Sequence, residues 1–412
     1  MRILHVNKFL YRRGGAETYL LGVADLQRRA GHEVEFLATG HPRNEPSRYS
    51  ALFPRYIELN PPPSGFMARA RAASGMLYSA TARRAMEAIV SDFRPDIVHL
   101  HNIYHHLSPS ILRPLVRRSI PSVMTLHDFK LACPTHQFLA GGEPCEACLG
   151  GRFHHAIMKR CNGGSLGASA VNALELAVHT STKAYGPIRI FACPSKFLLD
   201  RMRAAAVFPE RLRWVPNFIE AAAAQAKDEP GGPAVYAGRL SPEKGVDVLV
   251  RAAAAAGVPL EVIGDGPERE RLAALADTLK ASRIRFFGHR PAEEVQERMR
   301  NASVTVMPSR GYENMPIAVL ESFACGVPVI GAAHGGIPEL IRAGVDGELF
   351  PPGDHRALSE TLAGLVGDPD RAFEMGREAR RKAVDEFSPE RHVELLDAIY
   401  AEATAATQTA VT

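Results

Sequence analysis

No apolar run in the 412-residue sequence approaches about 18 residues, so no membrane-spanning helix is expected. No charged leader with an apolar core of about 7–15 residues precedes MRILHVNKF at the start, which reads directly as a strand. A cytoplasmic protein is therefore expected, and with it few disulfides, so the six cysteines read as thiols or metal ligands. Aromatics are scarce, with a single Trp at 214. No repeat of roughly 20–50 residues is visible, which excludes a solenoid. The only Asp-x-Asp is Asp368-Pro-Asp370, which reads as a turn.

What is present points to two domains, since 412 residues exceed one typical core. The net charge of +4 conceals an asymmetry: residues 1–214 carry 28 Lys and Arg against 15 Asp and Glu, and residues 215–412 carry 21 against 30. A basic half suits an anionic membrane or an anionic substrate, or reflects a difference in solubility between domains. No nucleic acid partner is expected.

Short apolar runs alternate with helical patterns. Residues Ile3–Val6, Val34–Ala38, Ile97–Leu100, Ser122–Leu126 and Ile190–Cys193 read as buried parallel strands, with helices such as Glu17–Ala30 and Thr81–Asp92 between them. The second half repeats this with Ala234–Ala237, Leu260–Ile263, Ile284–Phe287, Val304–Met307 and Val327–Ile330. The expected fold class is α/β, with two Rossmann-like doubly wound parallel-sheet domains. Domain boundaries are set at 1–214 and 215–388. A C-terminal helix at 389–402 returns to the first domain, and the small polar tail 403–412 is expected to fray. Residues 61–90, with Arg69, Arg71, Arg83 and Arg84 among Phe66, Met67, Met76, Leu77 and Tyr78, read either as a helix packed on its own sheet or as a basic amphipathic membrane helix.

Several stretches sit where open parallel sheets bind ligands, at the carboxyl ends of strands. Gly14 and Gly15 open the first helix, where free N–H groups accept an anion or a sugar; taken alone, the pair reads as a tight turn. His101 and His127 end adjacent strands; each alone suits a core role, and together they point to a crevice. In Gly238-Arg-Leu-Ser-Pro-Glu-Lys-Gly245, Arg239 and Lys244 lie beside a helix start and can clamp a diphosphate. Gly264, in Ile263-Gly-Asp-Gly-Pro267, follows the next strand; the pattern falls short of a dinucleotide fingerprint. In SRGYENMPIAVLESFACGVPVIG, from Ser309 to Gly331, Pro316 fits a first helical turn. The amides around Asn314, Met315 and Ile317 would then be open to phosphate. Glu321 inside an apolar helix needs a polar partner and can bind ribose hydroxyls; Glu313 before it can bind sugar hydroxyls.

In this order the motifs GGAE at 14–17, GRLSPEKG at 238–245, IGDGP at 263–267, FFGHRP at 286–291, the pair Glu313 and Glu321, and CGVPVIG at 325–331 resemble family 4 retaining glycosyltransferases of the GT-B fold, over nearly the whole chain. The resemblance implies two domains facing across a cleft, the second holding a nucleotide-diphosphate-sugar donor. It implies that Arg239 and Lys244 hold the diphosphate, Glu321 the ribose and Glu313 the sugar, while the backbone at Asn314–Ile317 holds phosphate. Gly238 and Gly264 fall in the donor-binding turns, and His289 and Arg290 border the base. Gly14 and Gly15 are implied in donor binding, and Gly15 and His127 match first-domain positions that close over the reacting centre. The groups expected around the reacting bond are Glu313, His127, Arg239 and Lys244, with no dedicated protein base and no metal required for chemistry. The implied acceptor is lipid-linked or a growing polysaccharide in cell-surface glycan biosynthesis, met by a cytoplasmic enzyme at the inner face of the plasma membrane through its basic first domain. A nucleotide-sugar epimerase and a non-catalytic sugar-nucleotide binder are the alternatives; the presence of all four clamp and glutamate residues argues against both.

One segment, 133–161, interrupts the scheme. Cys133, Cys145, Cys148 and Cys161 are spaced C-x11-C-x2-C-x12-C, which can supply four thiolates to a structural Zn2+. An iron–sulfur cluster or free thiols are the other readings, and His136, His154 or His155 can replace a ligand. Some bacterial family members carry a similar insertion. Because it follows the strand ending at His127, it is expected to border the acceptor side of the cleft. Cys193 and Cys325 read as core residues.

Overall fold

The computed structural model describes residues 1–58 and 64–408. Strands β1 (Arg2–Val6), β2 (Glu33–Leu37), β3 (Ile97–Leu100) and β4 (Ser122–Thr125) are followed by a small antiparallel hairpin, β5 (Leu139–Ala140) with β6 (Glu143–Pro144), and then by β7 (Ile190–Cys193) and β8 (Leu212–Trp214). The first sheet is wholly parallel in the order β2-β1-β3-β4-β7-β8. The second comprises β9 (Ala234–Ala237), β10 (Leu260–Ile263), β11 (Ile284–Gly288), β12 (Val304–Met307), β13 (Val329–Ala332) and β14 (Gly347–Phe350), parallel in the order β11-β10-β9-β12-β13-β14. This is the two-domain, doubly wound arrangement expected.

Both faces of the first sheet are covered, and the period of two sorts its side chains. Ile3, Ile97 and Val123 enter one core, whereas Leu4, Val6, Val98, Leu100 and Met124 enter the other. The helix Pro389–Gln408 adds Leu396, Ile399, Tyr400 and Ala403 to the core of Ile3, Tyr19 and Leu20, so the end of the chain packs on the first sheet. Helix continues through Gln408, six residues beyond the expected end; residues 409–412 lie outside the described residues.

β13 begins two residues later than the sequence suggests. Gly326, at φ +72, turns the chain, the Val327 N–H closes on the Ser322 carbonyl at 3.1 Å, and Pro328 has no N–H to offer a ladder. β8 and β14 were not foreseen: they are edge strands in which Arg213 and Glu348 interrupt the apolar run. The stretch 61–90 forms two helices, Phe66–Leu77 and Ala80–Phe93, divided at Ser79, whose hydroxyl caps the second by accepting from the Ala82 N–H at 3.3 Å. The second helix buries Met86, Ile89, Val90 and Phe93 on the sheet. The first leaves Met67 79% exposed, and residues 61–63 lie outside the described residues.

Candidate functional site

The carboxyl ends of the two sheets face each other across a cavity of about 410 Å³. Gly15, Ala16, Thr18, Asn102, His127 and Asp128 form one wall; Gly238, Arg239, Lys244, residues 313–318 and Glu321 form the other. The walls meet closely: a Cβ on Gly15 would lie 3.5 Å from Ile317 Cδ1. Asn314 spans them, its Nδ2 donating to the Leu126 carbonyl at 3.0 Å and its Oδ1 accepting from the Ser195 hydroxyl at 2.7 Å.

Local backbone explains why the cations stand here. Gly245, at φ +64, ends the turn carrying Lys244, and a Cβ there would strike the Pro308 carbonyl oxygen at 2.1 Å. Only glycine lets this turn press against the β12 end that leads to Glu313. Lys244 Nζ then lies 2.7 Å from Glu313, which also accepts from the Ser309 hydroxyl at 2.6 Å. Burial pushes the Glu313 carboxyl up, but the Lys244 charge and these hydrogen bonds outweigh it and hold it below the ordinary range. Arg239, 63% exposed, pairs with Glu243 at 2.7 Å, and Ser241 supports the same oxygen at 2.6 Å.

Glu321 behaves differently. It lies on the cavity wall in the helix Ile317–Ala324, and no side chain or backbone group among the described residues bonds its carboxylate. Burial alone pushes its pKa up. Among the described residues no protein group serves as the polar partner expected from sequence, which leaves the carboxylate open to a ligand. Pro316 stands one place earlier than expected, at the N-cap rather than in the first turn. Beside it the backbone N–H groups of Met315, Ile317 and Ala318 have no protein acceptor among the described residues.

Of the residues singled out from sequence, Gly15, His127, Gly238, Arg239, Lys244, Glu313, Asn314, Met315, Pro316, Ile317 and Glu321 converge on this cavity. Gly14, Gly264, His289 and Arg290 are not on its lining. Gly264, at φ +136, lets β10's end pass under Gly238, where a Cβ would meet the Gly238 carbonyl oxygen at 1.8 Å. His289 and Arg290 are exposed beyond β11. Sequence reasoning missed Asn102, Asp128 and Asn217 on the lining. For the first two the signal was present, since each follows a strand-end histidine directly. It also missed His5 and His99, which sit in register on β1 and β3 and lie behind His101 and His127.

The insertion 133–161 borders a second cavity of about 320 Å³, where His136, Gln137 and Leu139 face Arg239, Lys244, Tyr312 and Glu313. Its four thiols lie near one another. Burial first, then Cys133, Cys161 and Cys145, push the Cys148 thiol up to about 12. All six cysteines are unpaired by disulfide, and Lys159 Nζ lies 3.3 Å from Cys145 Sγ. Among the described residues, the one trio of possible metal-ligating atoms within 4.8 Å of each other is His5, His99 and His101, so the thiols stand wider apart than a closed cluster. Four thiols and no carboxylate form a donor set suited to zinc.

Residues 13–223 match the family model described as Glycosyltransferase Family 4, and residues 218–382 the model described as Glycosyl transferases group 1. The GDP-mannose-dependent alpha-(1-6)-phosphatidylinositol monomannoside mannosyltransferase of Mycolicibacterium smegmatis is 35% identical over 161 residues, covering 36% of this chain and 42% of that protein. The amylovoran biosynthesis glycosyltransferase AmsK of Erwinia amylovora is 31% identical over 161 residues, covering 36% and 40%. The chain thus spans less than half the length of either relative. Among solved structures, sucrose-phosphate synthase from Thermosynechococcus elongatus superposes at a TM-score of 0.71 with 19% identity, over 98% of this chain and 99% of that one. Anabaena HepE in complex with UDP and glucose superposes at 0.68 with 16% identity, over 97% and 100%. At these identities the structural likeness is one of fold.

Proposed function

The chain belongs to glycosyltransferase family 4, and from that premise we propose that it transfers a sugar, with retained anomeric configuration, from a nucleotide-diphosphate donor to a lipid-linked or polysaccharide acceptor in cell-surface glycan biosynthesis. The observation that carries this reading is the composition of the second wall: two cations, open helix-start amides and an unpartnered carboxylate on one cavity. Arg239 and Lys244 clamp the diphosphate, the amides at Met315, Ile317 and Ala318 receive its oxygens, Glu321 takes the ribose hydroxyls and Glu313 the sugar. Gly14 and Gly15 approach the reacting centre from the first domain with His127, Gly238 and Gly264 shape the donor turns, and His289 and Arg290 stand toward the base. The first domain, 1–214 with the helix from 389, is the acceptor side, and 215–388 the donor side. Rate acceleration comes from positioning and from stabilising the departing phosphate.

The acceptor enters beside the insertion, and structural zinc is assigned to Cys133, Cys145, Cys148 and Cys161, outside the chemistry. Among the described residues no helix is long and apolar enough to cross a membrane. Contact with a membrane falls to the helix Phe66–Leu77, where Met67 (79% exposed) accompanies Arg69 and Arg71.

Thermal-shift measurement against a panel of UDP-, GDP-, ADP- and dTDP-sugars tests the reading, because a ligand of the native state raises Tm. One selective rise that Lys244→Ala abolishes supports it. No rise with any donor, or an equal rise in Lys244→Ala, overturns the assigned donor site.

A further inference from the structure

Buried hydrogen bonds lie behind His127 in two runs. The shorter starts at the Pro216 carbonyl, which can only accept, and which is 2.8 Å from His392 Nδ1. His392 Nδ1 therefore carries the proton, and its Nε2 accepts from the Tyr19 hydroxyl at 3.0 Å. The longer starts at Thr125 and ends at His127. His99 Nε2 meets Thr125 at 2.8 Å, and His99 Nδ1 meets the Tyr400 hydroxyl at 2.7 Å. Gln27 Nε2 donates to Tyr400 at 2.9 Å, and its Oε1 lies 2.7 Å from His5 Nε2. His5 Nδ1 meets His101 Nε2 at 3.0 Å, and His101 Nδ1 meets His127 Nε2 at 3.0 Å.

A neutral imidazole has one N–H and one lone pair, so each ring passes the direction of donation to the next. Burial holds His5, His127 and His392 at about 4 and pushes His99 and His101 well below their ordinary value, so every ring is neutral near pH 7. With Gln27 Oε1 accepting from His5, the steps from His5 to His127 have one self-consistent order. His101 donates to His5, and His127 donates to His101 through Nε2–H. The six ring nitrogens of His5, His99 and His101 are all engaged, so this trio is a relay and has no lone pair open for a metal.

We propose that the longer run locks His127 in the tautomer whose Nδ1 carries a lone pair, so that the cavity presents an acceptor there and selects a ligand that brings a hydroxyl donor. Nδ1 of His127 has no partner among the described residues, and the ring lines both cavities. On the reading above, the hydroxyl belongs to the transferred sugar. His5, Gln27, His101 and Tyr400 are then positioning residues: they touch no substrate but decide whether His127 accepts or donates. The opposite turn of the Gln27 amide would reverse the steps from His5 to His127 and put the His127 proton on Nδ1.

The test is 15N NMR of histidine-labelled full chain, with His127→Gln used to assign the His127 signals. The wild type is expected to show His127 protonated at Nε2 and bare at Nδ1 across neutral pH. Tyr400→Phe, which removes the hydroxyl between Gln27 and His99, is expected to shift both His127 nitrogens toward the other tautomer. A wild-type His127 protonated at Nδ1 overturns the proposal, whether or not the variant folds, and so does an unchanged signal in folded Tyr400→Phe. Adding the nucleotide-sugar panel separates the two layers. A shift at His127 Nδ1 supports the hydroxyl contact. A locked tautomer with no response to any sugar overturns that contact and the donor reading while leaving the relay.

Discussion

The Lys244 ammonium lies 2.7 Å from Oε1 of the Glu313 carboxylate, and the Ser309 hydroxyl donates to the same oxygen. A cation held this way is aimed before any ligand arrives, and an entering diphosphate needs only to draw it off a partner that stays ionised. Lys244→Ala is expected to lower turnover on the order of 10²-fold, the usual effect of removing one preorganised charge stabiliser. Steady-state rates with the donor found by thermal shift measure this, and turnover near that of the wild type would sink the role.

Glu321 supplies a sharper contrast. A carboxylate without a partner in a largely apolar helix costs stability, so Glu321→Leu is expected to stabilise the ligand-free protein by about 1–2 kcal/mol. The same variant is expected to lose most of the donor-induced rise in Tm. Denaturation and thermal shift on one sample decide it; a destabilised variant that still binds donor would mean Glu321 serves the fold.

Acid should act early on this protein. The histidine value of 6.5 falls to about 4 for His5 and His392 through burial. The unfolded chain then takes up protons that the folded chain refuses, and stability drops as pH falls from about 6.5 toward about 4, by about 1.4 kcal/mol per pH unit for each such group. Glu313, held below its ordinary 4.5, adds a loss only below that value. Urea midpoints between about pH 5 and pH 8 should decline below about 6.5; a level profile down to pH 5 contradicts buried neutral histidines.

Protein purified without chelator is expected to carry about one zinc per chain, lost in Cys145→Ser and Cys148→Ser. Elemental analysis reads this directly. Metal-free protein with an unchanged melting temperature removes zinc from the insertion.

Arg69→Glu/Arg71→Glu is expected to weaken binding to anionic vesicles roughly 30-fold, at about 1 kcal/mol for each cation near the surface. Sedimentation with and without high salt measures it. Binding that ignores both salt and the substitutions would place membrane contact elsewhere.

The strands were largely legible because parallel strands buried on both faces show as short apolar runs, as Ile97–Leu100 and Val304–Met307 do. The donor wall was legible because its residues follow those runs directly at strand ends. Asn314 was expected for its amide, yet its side chain joins Leu126 and Ser195, partners more than a hundred residues away that no local pattern announces. His5 was hidden for a related reason: in Ile3-Leu4-His5-Val6 it looks like one polar residue in a strand, and only the register with His99 reveals a buried polar line.

The core that Ile3 opens is completed by Tyr400 and Ala403, nearly four hundred positions later. During synthesis the first sheet therefore emerges with one hydrophobic face only partly covered, by the helix Gly15–Arg29, and waits while the whole second unit is made. The helix from Pro389 acts as the latch that ends this wait, so a ribosome that stops short of it would release a chain whose second half can fold and whose first half stays open to chaperones and proteases.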